Sequence, residues 1–409
     1  MGGMNATRQQ AASLPAPDAA SLARSARLIA AMRAASDDGW LRFDRFMELA
    51  LYTPELGYYS GANVKFGTRP EDGSDFVTAP EMTPYFARAL ARPVHEALQG
   101  SDTGAILEFG AGSGRLAADL LCALDEAGTP CREYAIVELS GELRARQRDT
   151  LARRAPQALA RVRWLDRLPE RFDGVILGNE VLDAMPVRLF ARRDGVWRER
   201  GVNVSAEALR WAERELDAAG VPAALHRVPA AAGDYLTETH EAAEAFTRTV
   251  ATLLGRGAVL LFDYGFPAHE YYHPQRDGGT LMCHFRHRAH PDALLYPGLQ
   301  DITAHVDFSG IAGAAEDAGA ELFGYASQAR FLLEAGILDA LAALDPADAA
   351  RYLPAAGAVQ KLLSEAEMGE LFKVIAFGRG LPAGLSVFDR GDRSASFDLD
   401  AAAPAAAPD

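Results

Sequence analysis

Residues 105–121, A-I-L-E-F-G-A-G-S-G-R-L-A-A-D-L-L, are the stretch that decides the fold of this chain. The apolar start predicts a buried parallel strand, which reaches an acidic residue at Glu108. A helical pattern with leucines on one face follows at once, and between strand and helix stand three alternating glycines, Gly110, Gly112 and Gly114. A strand, a glycine turn and a helix in this order form the ligand crevice of an open α/β sheet, at the carboxyl ends of its strands.

The spacing of these glycines separates two classes of cofactor. Dinucleotide sites use G-x-G-x-x-G, and the third glycine of that pattern would stand where this chain has Arg115. The pattern here is E-x-G-x-G-x-G, the form seen in S-adenosylmethionine (SAM) methyltransferases. Glycine lets backbone N–H groups approach a ligand where any Cβ would collide. The turn therefore favours SAM as cofactor, with an NAD(P)-dependent oxidoreductase as the alternative.

Length and charge narrow the classes of function. A chain of 409 residues is long for one compact domain and predicts a core domain with insertions or a second lobe. Its net charge of −15 argues against nucleic acid as a partner, because a nucleic-acid binder needs a basic face. The same charge suits a cationic protein substrate, although acidic solubility explains it equally well. No apolar run approaches the ~18 residues that span a bilayer.

Both ends of the chain predict disorder, at residues 1–17 and 396–409. An amphipathic helix is expected from about Asp18. Residues 1–35 carry four arginines and a single acid, which is also the composition of a transit peptide. The three cysteines form no C-x-x-C pair and indicate a reducing compartment. We expect a bacterial cytoplasmic protein, with the mitochondrial matrix as the location only if the N-terminus is a transit peptide.

The order of strand and helix patterns predicts an α/β fold whose parallel sheet is interrupted by an antiparallel insertion. Within the insertion, Asp194-Gly195 between two alternating runs predicts a hairpin. The predicted organisation comprises a helical and loop segment over the active site (18–100), the first half of the sheet (101–186), the antiparallel insertion (187–239), and the second half of the sheet (240–380), which includes a long irregular stretch (264–306) and a helical insertion (327–368).

Acidic residues at strand ends are the candidates for holding the cofactor. Glu138 ends the second predicted strand and could accept two hydrogen bonds from a ribose diol, or could be an ordinary surface carboxylate. Glu108 could order the glycine turn or meet the methionine ammonium, and a merely structural hydrogen bond is the alternative. Asp166, after the third strand, could accept a hydrogen bond from the adenine amine.

Asn179, Glu180 and Asp183 follow the fourth predicted strand, where the reactive methyl group should point. Methyl transfer is an in-line displacement, so the enzyme chiefly aligns a nucleophile. A guanidinium nucleophile would need carboxylates that hold its fork and accept its proton. The alternative is that Glu180 and Asp183 cap a helix.

Six of the nine histidines fall between residues 269 and 305. The run Cys283-His284-x-x-His287-x-x-His290 suggests zinc, but its spacing is not that of a standard zinc finger. We therefore expect residues 264–306 to form part of a substrate or lid surface, and no metal site is predicted.

Taken together, several segments of the chain resemble the MidA-like methyltransferase family, which includes the mitochondrial complex I assembly factor that methylates an arginine. The resemblance covers about residues 28 to 380. Its motifs are F-M-E-L-A-L-Y-T-P-E-L-G-Y-Y-S, D-F-V-T-A-P-E-M-T-P-Y-F, L-E-F-G-A-G-S-G-R-L-A, N-E-V-L-D-A-M-P-V, D-Y-G-F-P and P-G-L-Q-D-I-T-A-H-V-D-F.

The resemblance implies a class I SAM methyltransferase fold, a doubly wound, seven-stranded and mostly parallel sheet with an N-terminal helical segment and an added lobe. It also implies that Thr78, Pro80 and Glu81 reach back over the SAM site. The family commonly has G-D-F where this chain has G-S-D-F at 73–76. The implied activity is arginine N-methylation of a protein, a subunit of the respiratory complex I type, and a SAM-binding assembly factor with weak or no catalysis is the alternative.

Overall fold

A computed structural model describes residues 14–60, 78–129, 131–205, 208–216 and 220–397. The G-S-D-F sequence at 73–76 and nearly all of the residues predicted to be disordered lie outside these ranges. In the described part, no helix combines the length and the apolar character that crossing a membrane requires.

Strands of the described part form three sheets. They are β1 (Trp40–Arg42), β2 (Ala105–Phe109), β3 (Glu133–Val137), β4 (Val162–Leu165), β5 (Phe172–Asn179), β6 (Arg188–Arg193), β7 (Val196–Val204), β8 (Leu209–Glu215), β9 (Tyr235–Thr239), β10 (Leu254–Phe266), β11 (Met282–Phe285), β12 (Arg288–His290), β13 (Asp301–Thr303), β14 (Val306–Asp307), β15 (Glu321–Ser327) and β16 (Phe372–Arg379).

Helices connect and cover these strands. The α-helices are α1 (Ala19–Ala34), α2 (Phe43–Tyr52), α3 (Ala79–Met82), α4 (Tyr85–Ser101), α5 (Arg115–Glu126), α6 (Gly141–Arg154), α7 (Glu241–Leu253), α8 (Ala268–Tyr271), α9 (Phe308–Asp317), α10 (Gln328–Glu334), α11 (Ile337–Ala342) and α12 (Ala349–Leu363). The predicted start of α1 is confirmed, because the Asp18 carboxylate accepts a hydrogen bond from the backbone N–H of Ser21 at 2.8 Å and so caps the helix.

The largest sheet is mixed and runs in the order β15-β16-β10-β5-β2-β3-β4. Strands β10, β5, β2, β3 and β4 are parallel, whereas β16 is antiparallel to both of its neighbours. The two-residue β14 pairs with β10 off this path as an eighth strand, which the sequence did not predict. The chain order reverses at β2 and β5, and a crevice at the carboxyl ends of the strands opens at such a switch point.

Alternating side chains of the central strands feed two apolar cores, one on each face of the sheet. Ile106 of β2 packs with helices α4 and α5, and the next residue, Leu107, packs with α7 and α9. Successive side chains of a strand point to opposite faces, which is why an uninterrupted apolar run marks a strand covered on both sides.

The predicted antiparallel insertion forms part of a second sheet, in which β1, β7, β6 and β9 are neighbours and β8 pairs with β7. Its hairpin turn is confirmed: Asp194 and Gly195 both have positive φ, 50° and 76°, as tight hairpin turns between twisted strands require. Strand β1 corrects the prediction, because residues 18–100 were expected to hold helices and loops. Three residues are too few to display the alternation that identifies a strand.

The segment 264–306 is more regular than predicted. It holds the end of β10, helix α8, and a three-stranded sheet in the order β12-β11-β13. Strands of three or four residues separated by turns leave no periodicity in the sequence, so these elements were missed. Residues 272–281 and 291–300 lie outside helices and strands, as expected. The buried carboxylate of Glu238 ties this segment to β9, since it accepts backbone hydrogen bonds from Thr280 and Leu281 at 2.9 and 3.1 Å.

Candidate functional site

A cavity of about 1020 Å³ lies at the carboxyl ends of β2, β3, β5 and β10. These parallel strands deliver their polar terminal residues to one edge of the sheet, so residues far apart in sequence meet there. The expected site residues that line the cavity are Thr78, Pro80, Glu81, Glu108, Gly110, Gly112, Glu138, Asn179, Glu180 and Asp183. Two expected residues do not line it, Gly114 and Asp166.

The glycine turn (residues 110–114) forms one wall of the cavity. Gly110 and Gly112 have φ values of 65° and 51°, in the left-handed region that side-chain-bearing residues disfavour. A Cβ on Gly110 would also lie 2.8 Å from Cγ2 of Val181. The turn is therefore shaped so that backbone, and no side chain, faces the cavity at these two positions.

Gly114 acts in packing. Its φ is 82°, and an added Cβ would lie 2.9 Å from the Cα of Gln147. The residue lets helix α5 begin in close contact with α6. Its position supports a role in helix packing and does not support the predicted contact with a cofactor.

Glu138 lies at the end of β3 and is oriented by its neighbours. Its Oε1 accepts a hydrogen bond from the backbone N–H of Ser140 at 2.8 Å, and its Oε2 accepts one from Nε2 of Gln147 at 3.1 Å. The same Nε2 donates to the carbonyl oxygen of Gly112 at 3.1 Å, and Oε1 of Gln147 accepts from Trp164 at 2.8 Å. Sequence reasoning missed Gln147, a buried amide in an otherwise charged helix, which fixes the carboxylate and the glycine turn together.

Asp166 does not reach the cavity. Its side chain is 85% exposed and pairs with Arg144, with Nη2 to Oδ1 at 2.6 Å. Arg144 also donates to the backbone oxygens of Glu138 and Leu165 at 2.6 and 3.0 Å, which holds the pair outside the cavity. The adenine contact expected for Asp166 is therefore not supported by its position.

Glu108 is a buried carboxyl group beneath the glycine turn. Burial raises its pKa to about 8, and the hydrogen bond from the Tyr134 hydroxyl at 2.9 Å acts against this rise. Its position fits either expected role, because Glu108 both lines the cavity and accepts a structural hydrogen bond.

The segment that begins at Thr78 packs against the glycine turn. Thr78 precedes the short helix α3, whose Pro80 is buried. The carboxylate of Glu81 accepts a hydrogen bond from the Ser113 hydroxyl, and Ser113 Oγ in turn accepts from the backbone N–H of Arg115 at 3.3 Å. This contact brings the N-terminal segment to the cavity, where the family resemblance expects it.

The acidic turn (residues 179–183) forms an adjoining wall, since its Val181 lies close to Gly110 of the glycine turn. Glu180 has a φ of 52°, and its backbone N–H donates to the carbonyl oxygen of Phe262 at 2.8 Å. The buried Asp263 holds the rest of the turn, because its Oδ2 accepts from the backbone N–H groups of Leu182 and Asp183 at 2.9 and 3.2 Å. The structure describes every residue between β5 and β6, and no α-helix begins there. The alternative that Glu180 and Asp183 cap a helix is therefore wrong.

Carboxyl groups crowd this wall, and their pKa values rise. Burial first, and the charge of Asp183 second, raise the pKa of Glu180 to about 8. Burial likewise raises the pKa of Asp183, against the hydrogen bond from the Tyr264 hydroxyl. The pKa of Asp263 rises through burial and the nearby Asp183 and Glu180. Such a group of like charges is stable only if protons or a bound cation neutralise part of it.

The raised pKa of Glu180 predicts a pH-dependent gain in stability for Glu180→Gln. Between pH 4.5 and about 8, Glu180 is protonated in the folded chain but ionised in the unfolded chain. The free energy of unfolding therefore falls as the pH rises through this range. Glutamine removes this penalty. We expect the variant to be more stable by several kcal/mol above pH 8, since each pKa unit corresponds to about 1.4 kcal/mol, and equal to the unmodified protein near pH 4, as measured by urea unfolding. A stability loss at every pH would contradict this account of Glu180.

Further residues of this wall were not assigned from the sequence. Tyr52, Tyr59, Tyr264, Asp301 and His305 all line the cavity. All five lie within stretches that carry the family resemblance, Y-T-P-E-L-G-Y-Y-S, D-Y-G-F-P and D-I-T-A-H. They come from helix α2, strands β10 and β13 and two connecting segments, so their proximity is evident only in the folded chain.

The histidines of residues 269–305 are spread over several elements. Cys283 and His290 are paired across β11 and β12, whereas His284 and His305 line the cavity. Burial is the main cause that lowers the pKa of both cavity histidines, that of His305 to about 4, so both are neutral near pH 7. Within the described ranges no three His, Cys, Asp or Glu side chains are grouped so that they could hold a metal ion.

Comparison with known proteins identifies relatives of this chain in sequence and in fold. The profile of Methyltransf_28, a family of S-adenosyl-L-methionine-dependent methyltransferases, matches residues 87–326. A protein from Burkholderia thailandensis, whose crystal structure contains bound S-adenosyl-homocysteine, is 60% identical with a TM-score of 0.91 over 94% of this chain and 100% of that one.

Curated relatives are more distant. The mitochondrial protein arginine methyltransferase NDUFAF7 of Mus musculus is 28% identical over 365 residues, which span 81% of this chain and 79% of that protein. Its Caenorhabditis elegans homologue is 26% identical over 325 residues, 71% of this chain and 72% of the relative.

Proposed function

Because the chain belongs to the Methyltransf_28 family of S-adenosyl-L-methionine-dependent methyltransferases, we propose that it methylates a guanidinium nitrogen of an arginine in a protein. The observation that carries the proposal is the acidic turn, where Glu180 and Asp183 line the same cavity as the glycine turn. Names of distant relatives, protein arginine methyltransferases at 26–28% identity, support the same acceptor. We further propose that the substrate is a respiratory subunit of the complex I type.

The residues of the cavity fit the cofactor. The glycine turn offers backbone at close range, and Glu138 is held at a strand end where a ribose diol can donate to its carboxylate. The Oδ1 atom of Asn179 is buried and has no hydrogen-bond partner among the described residues, so an acceptor is left for the ammonium of the methionine part. When bound, SAM supplies an electrophilic methyl group.

Two carboxylates beside the acceptor could meet both chemical requirements of arginine methylation, binding of the cation and removal of its proton. A guanidinium is protonated at physiological pH, so it must be held as a cation and must lose a proton to become alkylated without gaining charge. A carboxylate pair matches the planar fork of N–H donors. A bound cation also lowers the pKa of the carboxyl groups around it, which leaves Glu180 ionised and able to accept the proton.

A labelling experiment tests the proposed acceptor. Purified full-length protein and tritiated SAM are added to a lysate of a strain that lacks the gene, and the labelled protein is identified by mass spectrometry. We expect incorporation into one or a few proteins, with the methyl group on arginine. Label on lysine or on a small molecule would refute arginine as acceptor, and no label at all would favour the non-catalytic assembly factor.

The role of Glu138 predicts a selective loss of affinity. Glu138→Ala removes the hydrogen bonds from a ribose diol, each worth about 1.5–3 kcal/mol when one partner is charged. We expect at least about a tenfold loss of affinity for S-adenosyl-homocysteine, measured by calorimetry. The analogue that lacks both ribose hydroxyls is the control ligand, and an equal loss for both ligands would show that Glu138 acts on the structure alone.

A further inference from the structure

Asp301 is a third carboxylate at the acceptor side of the cavity. It begins β13, is 2% exposed, and lines the cavity together with Glu180 and Asp183. Its Oδ1 accepts hydrogen bonds from the Tyr59 hydroxyl and from the backbone N–H of Ile302, both at 3.0 Å. The carboxylate is therefore fixed in orientation at the cavity surface before any ligand arrives.

Two stacked tyrosines connect Asp301 to the acidic turn. The rings of Tyr52 and Tyr59 lie 5.6 Å apart with planes 18° from parallel. The Tyr52 hydroxyl donates to the carbonyl oxygen of Ala184 at 2.8 Å, directly after the acidic turn. Burial and the Asp301 charge raise the pKa of the Tyr59 hydroxyl, so it stays protonated and keeps donating to Asp301.

The ionisable side chains that line the cavity are mostly acidic, which favours binding of a cation. The acidic side chains among its described lining residues are Glu55, Glu81, Glu108, Glu138, Glu142, Glu180, Asp183 and Asp301. Arg115 is the sole lysine or arginine among the same residues, and its Nε already donates to Asp119 at 2.9 Å. Among the described lining residues, acidic side chains therefore outnumber lysine and arginine by eight to one.

We propose that Asp301, oriented by Tyr59, determines specificity by selecting a guanidinium group over neutral acceptors of the same shape. The inference rests on the proposed function and adds a residue outside the acidic turn to it. Glu180 and Asp183 approach the acceptor from β5, whereas Asp301 approaches from β13. A planar cation with N–H donors on several edges can meet carboxylates from both directions, and an aromatic ring beside it adds a cation–π contribution.

A binding experiment on the full chain loaded with S-adenosyl-homocysteine tests the assignment. The probes are Nα-acetyl-arginine methylamide and its neutral analogue with citrulline, titrated by NMR or calorimetry. We expect the unmodified protein to prefer the arginine probe and Asp301→Asn to lose that preference by about tenfold or more. Affinity for S-adenosyl-homocysteine should be unchanged, which a general structural defect would not permit.

Two further variants sharpen the experiment. Tyr59→Phe keeps the ring stack but removes the hydroxyl that orients Asp301, so we expect a smaller loss in the same direction even if Asp301→Asn fails to fold. Asp234→Asn is the matched control, since it removes one carboxylate from a side chain that is 61% exposed and lies outside the cavity. This control should keep the full preference for arginine.

The possible results separate the two proposals. Equal binding of both probes by the unmodified protein, no binding of the arginine probe, or an undiminished preference in Asp301→Asn and Tyr59→Phe would each overturn the role of Asp301. The labelling experiment on lysate judges arginine methylation independently, because it needs no variant of Asp301. Labelled arginine together with undiminished preference in the variants would leave the proposed function standing and remove this inference.

Discussion

Replacement of Glu180 by glutamine is expected to reduce methyl transfer by about 10²-fold or more while affinity for SAM stays near that of the unmodified protein. Glutamine keeps the shape of the side chain and can still accept the hydrogen bond from Asn179, which now spans 3.0 Å. It removes the charge that holds a cationic acceptor and receives its proton. Single-turnover assays with tritiated SAM and the protein substrate that the labelling experiment identifies measure methyl transfer. Calorimetry with S-adenosyl-homocysteine measures cofactor affinity separately.

Matched variants make this test specific. Asp183→Asn should show the same separation of binding from turnover, because Asp183 lines the same wall. Glu213→Gln removes a carboxylate that pairs with Arg200 at 2.6 Å on the second sheet, outside the cavity, and should leave turnover intact. If methyl transfer survives both Glu180→Gln and Asp183→Asn, the acceptor does not bind at the acidic turn and the arginine proposal loses its chemical support.

Gly112→Val is expected to abolish measurable binding of SAM. Its φ of 51° is one that a β-branched residue rarely adopts, and its side chain would occupy the cavity wall that backbone now forms. The strain costs about 1–3 kcal/mol, and loss of the close backbone approach removes the hydrogen bonds that the ligand would receive. Calorimetry with SAM and S-adenosyl-homocysteine measures the loss.

The chain offers a control for the strain itself. Gly128 also has a positive φ, 68°, and an added Cβ there would meet nothing within 4 Å. Gly128→Val should therefore lower the melting temperature to a similar extent while cofactor binding persists. Normal SAM binding in a folded Gly112→Val protein would show that the glycine turn does not hold the cofactor.

Much of the central sheet was predictable because its strands are buried on both faces. The apolar runs that became β2 and β5 ended at polar residues that did reach the cavity, Glu108 and Asn179. The prediction failed where local pattern is weak. Strand β1 and the sheet of β11 to β13 consist of pieces too short for periodicity, and their positions depend on partners distant in sequence.

The residues of the site also fall into those that the sequence predicted and those that it did not. The glycine turn and the acidic turn are contiguous in sequence, so their chemistry could be inferred from the order of residues. Gln147 and the pair Tyr59 and Asp301 belong to the site through contacts across 35 and 242 residues of chain, which no local pattern encodes. Asp166 is the opposite case. Its position after a strand suggested a site residue, but its carboxylate pairs with Arg144 outside the cavity.

The carboxylate of Glu238 bears on how this fold can diversify. It joins the segment that carries Asp301 to β9 through the backbone of Thr280 and Leu281, whereas the glycine turn and Glu138 belong to the large sheet. The residues proposed to contact the methyl donor and part of those proposed to contact the acceptor thus belong to separate stretches of chain. Descendants could exchange the recipient by altering residues 264–306 while the donor chemistry stayed constant.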